Sequence, residues 1–72
     1  MGFTSVEQMY VVEGALRLEV SYEGFVIMVG TDFIRQQASG YETPNQFASV
    51  CRDRDGRRAR ALERYFGWEQ GL

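Results

Sequence analysis

Seventy-two residues make one domain, near the lower limit at which a hydrophobic core holds without staples. Hydrophobic residues form 44% of the chain and aromatic residues 14%, which argues for a folded globule over a disordered segment. Ten acids oppose eight arginines, with no lysine and no histidine, for a formal net charge of −2; this balance argues against wholesale capture by nucleic acid or an anionic membrane.

The first element spans Met9-Tyr10-Val11-Val12, a run of strand formers. Ser5 and Gln8 also stand at capping-box spacing, with Val6, Met9 and Tyr10 at helical intervals and Gly14 able to end a helix. The strand reading is preferred because Glu13-Gly14 repeats as Glu23-Gly24 ten residues later. Between these turns Leu16, Leu18, Val20 and Tyr22 alternate with Arg17, Glu19 and Ser21, a period of two that lays the apolar set on one face. Phe25 to Val29 follows as another strand. Glycine after an acidic residue suits a tight turn, since glycine takes positive φ without steric cost. Residues 1–29 are therefore expected to form an antiparallel meander of two or three strands.

Gly30 ends the sheet, and Thr31 and Asp32 offer N-cap chemistry for a short helix over 31–39. Phe33, Ile34, Gln37 and Ala38 share one side of it, and Gly40 suits the left-handed position after its end. Thr43-Pro44-Asn45-Gln46 is a stronger start signal, with Thr43 at the N-cap, Pro44 at N1 and Gln46 closing a capping box. An arginine-rich helical region then covers 44–66. Run unbroken, it aligns Phe47, Val50, Cys51, Ala61, Leu62 and Tyr65 in one stripe but drives Arg54 and Arg58 into the middle of it, where unpaired guanidiniums are costly. A break at Gly56 frees them and leaves Ala61, Leu62, Tyr65 and Phe66 facing inward. Both readings stand at this stage. Residues 67–72 are expected to be a frayed tail from which Trp68 packs back.

Charge is segregated. Residues 43–66 carry six arginines against Asp53, Asp55 and Glu63, whereas residues 1–42 carry Arg17 and Arg35 against six acids. Arg54, Arg57, Arg58, Arg60 and Arg64 form the one cluster with functional force, because forked guanidiniums grip carboxylates and phosphates. The bland alternative is a solvated face, with Asp53 paired to Arg57, and Arg60, Glu63 and Arg64 on an outer surface. Tyr65, Phe66 and Trp68 lie beside Arg64. Aromatic plus arginine is the composition of interface anchors, although a small core also needs aromatics to seal itself.

Other chemistries find little purchase. The missing histidine removes most acid–base and triad mechanisms and the commonest transition-metal ligand. Cys51, the single cysteine, sits in the apolar stripe as a small core residue and allows no internal disulfide. Asp53-Arg54-Asp55-Gly56 resembles the start of a calcium loop but lacks the remaining acidic ligands. No phosphate-cradling glycine motif occurs. No apolar run approaches the roughly 20 residues of a membrane helix, no secretory leader is evident, and a cytoplasmic location is expected.

The stretch from Gly14 to Phe66 is similar to a family of short bacterial proteins of unknown function. The matching segments are Ala15 to Val20, Glu23-Gly24, Thr31-Asp32-Phe33-Ile34, and Phe47 with Arg52; the Asp55-Gly56 interruption departs from the pattern. The resemblance implies two strands, a short helix and a longer arginine-bearing helix; the family has no established activity, so the implication is for the fold alone. By size, acidity and lack of catalytic residues the chain also looks like small phage-encoded inhibitors of host defence, such as anti-CRISPR proteins.

The expectation is an α+β domain: a two- or three-stranded antiparallel meander packed on one face by two or three C-terminal helices. The expected function is non-enzymatic, without metal or cofactor: an adaptor or inhibitor that occupies an acidic protein surface through Arg54, Arg57, Arg58, Arg60 and Arg64, with Tyr65 and Trp68 as anchors. Two alternatives stand beside it. One is a nucleic-acid binder using the same arginines on phosphates; the other is a homo-oligomer whose sheet edge or helix face pairs with itself.

Overall fold

A computed structural model describes residues 5–70. In chain order the elements are β1 (Ser5–Val12), β2 (Ala15–Tyr22), β3 (Phe25–Val29), α1 (Thr31–Ala38), α2 (Pro44–Val50) and α3 (Arg60–Gln70). The strands form an antiparallel meander in the order β1-β2-β3, and the helices pack on it, giving the expected α+β architecture with three strands. Residues 1–4 of the expected sheet region and 71–72 of the expected tail lie outside the described residues.

Alternation along β2 decides which face is covered. Leu16, Leu18 and Val20 are buried, and their cross-strand partners include Val6 on β1 with Ile27 and Val29 on β3. With Ile34, Ala59, Leu62, Tyr65 and Phe66 these side chains make one core. On the opposite face Arg17, Glu19, Val26 and Met28 are not buried. Toward the hairpin ends of the covered face Val11 and Phe25 remain exposed, although Phe33 of α1 packs edge-on to Tyr22 there.

Both hairpins turn as Glu-Gly pairs with positive φ at each central residue: 52° and 78° at Glu13 and Gly14, 50° and 85° at Glu23 and Gly24. That is the type I′ geometry, whose twist matches the flanking strands. A bulge interrupts β1 between Val6 and Gln8, so Glu7 is the extra residue.

Helix starts follow the sequence signals unevenly. Thr43 caps α2 as expected, its hydroxyl accepting from the Gln46 N–H at 3.1 Å with Pro44 in the first turn. Gln46 Oε1 accepts from the Glu42 N–H at 2.9 Å, one residue before the usual capping-box target. At α1 the N-cap is Gly30, without a side-chain bond, so neither Thr31 nor Asp32 caps it; Asp32 lies instead in the first turn, where it complements the helix dipole. Gly40 is not among the described residues with positive φ. Ser39 closes the helix, its N–H and hydroxyl both donating to the Gln36 carbonyl.

The arginine-rich region is two helices, and the break comes earlier than Gly56. Cys51 already has extended backbone (φ −80°, ψ 146°), and Val50 is 53% exposed, outside the apolar stripe. The Arg52 guanidinium donates to the Ser49 and Cys51 carbonyls and so satisfies the end of α2. Residues 51–59 then fold as a small hairpin, with Asp53 N–H donating to Arg57 O at 2.8 Å and Ala59 N–H to Cys51 O at 3.3 Å. Its tip is a turn closed by Gly56 N–H to Asp53 O, with Gly56 at φ 76°. Only here does the Asp53 carboxylate act, accepting the backbone N–H groups of Asp55 and Arg57 at 2.9 Å each. α3 then runs through the expected tail to Gln70.

Candidate functional site

The small hairpin places the arginines. Val6 N–H donates to Arg52 O at 3.0 Å, which lays the hairpin beside the bulged end of β1. The bulge inserts Glu7 there, and Arg54 Nε meets Glu7 Oε2 at 3.3 Å. Arg58 pairs with Glu63 through its Nε. Both arginines are mostly exposed, so the early end of α2 spares them the burial that an unbroken helix would have imposed.

Arg57, Arg60 and Arg64 behave differently. All three are exposed, and none has an ion-pair partner within 4.0 Å among the described residues. They converge with Val6, Glu7, Asp53, Arg58 and Ala61 on one groove of about 460 Å³. The expected Asp53–Arg57 ion pair does not form, because the Asp53 carboxylate is taken by backbone amides. Glu63 pairs with Arg58 and is half-buried, so it does not alternate with Arg60 and Arg64 on the outer surface.

Along α3, Arg60, Arg64 and Trp68 follow at intervals of four and form a solvent-facing row. Trp68 is 48% exposed, so it does not seal the core. Tyr65 is 0% exposed and cannot serve as an anchor, contrary to the sequence expectation. It packs edge-on to Phe66, whose ring in turn meets Phe47, on the inward side of α3. Its hydroxyl is buried without a hydrogen-bond partner of good geometry among the described residues, and burial raises its pKa, with the Thr31 side chain opposing.

Cys51 is buried as expected, its thiol donating to Phe47 O at 3.3 Å. Burial pushes that thiol up to about 11, with the adjacent Arg52 opposing, so it stays protonated and unreactive near neutral pH. The groove therefore offers cationic forks, and Trp68 stands outside its lining, four residues beyond Arg64 on α3. Glu7 is the contributor that sequence reasoning missed; the one mark of its bulge is the shift of the covered face from Val6 to Met9 and Val11.

No helix among the described residues is long and apolar enough to cross a membrane. Comparison with protein-family models, curated proteins and solved structures finds no match to this chain.

Proposed function

We propose that this chain is a small non-enzymatic binding protein, an adaptor or inhibitor that works by occupying a partner's surface. It receives an acidic protein segment in the groove of Arg57, Arg60 and Arg64, with Trp68 as the apolar anchor at the end of the row. The observation that carries this reading is the convergence of three exposed arginines, each without an ion pair among the described residues, on one groove. Guanidiniums without an ion pair among the described residues, on a helix that also carries an exposed tryptophan, match the composition of interface anchors.

A protein segment suits the groove better than a nucleic-acid backbone. Glu7 and Asp53 line the same groove, and a continuous row of phosphates would meet them. An acidic peptide can set its carboxylates against the arginines and leave neutral residues beside the acids.

Titration with a glutamate-rich peptide, single-stranded DNA and duplex DNA across a series of salt concentrations tests the reading. The peptide is expected to bind, and Arg57→Ala with Arg60→Ala to weaken it at least about tenfold. DNA binding with a steep linear fall of log affinity against log salt, and no peptide binding, replaces the reading with nucleic-acid recognition. Absence of both sinks the groove as a docking site.

A further inference from the structure

We propose that β3 is a self-pairing edge through which two copies of this chain join their sheets antiparallel about a two-fold axis at Ile27. This rests on the sheet edges and is independent of the arginine groove.

The two edges of the meander differ. β1 carries a bulge, a charged residue at the bulge and a covering segment, since Val6 N–H is already bonded to Arg52 O and Glu7 to Arg54. These are the devices by which folded proteins blunt an edge. β3 has none of them. Its sequence, Phe25-Val26-Ile27-Met28-Val29, holds no charge, no proline and no bulge, and among the described residues it pairs only with β2. Among the described residues, none of these five makes a backbone hydrogen bond outside that pairing.

The register follows from the hairpin. A two-residue type I′ turn makes its flanking pair, Tyr22 and Phe25, a hydrogen-bonded pair, and such pairs alternate along the ladder. Phe25, Ile27 and Val29 therefore direct their N–H and C=O groups to β2. Val26 and Met28 direct theirs to the open edge. An axis at Ile27 sets Val26 of one copy against Met28 of the other, twice, satisfying all four edge residues with four backbone bonds. Ile27 meets its own copy and Phe25 meets Val29, so every cross-strand pair is apolar and like charges never meet. Such a contact is isologous and closes at two copies.

The available area sets the strength. Phe25, Val26 and Met28 are 72%, 58% and 47% exposed. Together they offer on the order of 300 Å² of apolar surface per copy, against about 800 Å² per partner in a standard stable interface. The dimer is therefore weak and reversible.

Sedimentation from about 5 µM to about 1 mM is expected to show the mean mass rising from one chain toward two. Val26→Pro removes an N–H that faces only the open edge, leaves the bonds to β2 in place, and is expected to weaken association at least about tenfold. Two further variants test the register even where proline disturbs the fold: Val26→Lys with Met28→Lys, and Val26→Glu with Met28→Glu. Each alone is expected to remain monomeric, and an equimolar mixture to dimerise, because position 26 then faces an opposite charge at position 28. A chain monomeric at about 1 mM, association untouched by these substitutions, or a mixture no better than its components overturns the proposal.

Discussion

The backbone N–H of Val6 donates to the carbonyl of Arg52 across 3.0 Å, joining the first strand to the hairpin between α2 and α3. Through this bond the loop that orients Arg57 is held to the sheet, and its rigidity depends on the turn at its tip. Gly56 supplies that turn at φ 76°, and a β-carbon there would meet nothing within 4 Å. Gly56→Ala is therefore expected to cost about 1 kcal/mol through backbone strain alone. Amide exchange should quicken at Val6 and Asp53 more than at Leu18. Unchanged protection at both would show that the turn does not hold the loop.

The type I′ turns place Glu13 and Glu23 at φ near 50°, a conformation that asparagine adopts more readily than glutamate. Glu13→Asn and Glu23→Asn are each expected to stabilise the fold by about 0.5 kcal/mol, close to additively because they lie in separate hairpins. Denaturant midpoints of the two single variants and the double variant measure this. A loss of stability in either would mean that the replaced carboxylate has a partner in solution.

Two raised pKa values set the alkaline limit. Burial lifts Cys51 from 9.0 to about 11 and lifts Tyr65 above 10.0, so the folded chain keeps protons that the unfolded chain has released. Fewer protons bound in the unfolded state make stability fall as pH rises. It is whole below pH 9 and declines from there toward 11, by at most about 1.4 kcal/mol per pH unit for each group. Urea midpoints measured across this range should drop, and Cys51→Ala should flatten the first part of the decline. A level profile for the unaltered chain would contradict the burial of both groups.

Local chemistry was the legible part of the sequence. Thr43-Pro44 and the two Glu-Gly turns act within four residues, and β2 displays its faces by alternation alone; each was read correctly. The end of α2 was harder, because Phe47 and Cys51 are buried whether the helix stops or continues. What ends it is also local in sequence, the Arg52 side chain on the Ser49 and Cys51 carbonyls and the Asp53 carboxylate on the Asp55 and Arg57 amides, but arginine and aspartate at these positions suit a continuing helix surface equally well. The part that is tertiary is the bond from Val6 N–H to Arg52 O. Tyr65 and Trp68, three positions apart, fall on neighbouring parts of one helix face, so their spacing alone does not tell them apart. Tyr65 continues the buried position of Ala61 and Trp68 the exposed row of Arg60 and Arg64, once α3 runs on through Gly67.

Trp68 is the chain's single tryptophan, and it stands half-exposed at the end of the Arg60–Arg64 row. Its indole emission is thereby a built-in, label-free gauge of whatever covers that row. A segment that fills the groove and continues over Trp68, as proposed, would carry the spectrum to shorter wavelength, whereas the pairing proposed at β3 does not involve the indole. One optical signal can separate the two contacts in the same cuvette.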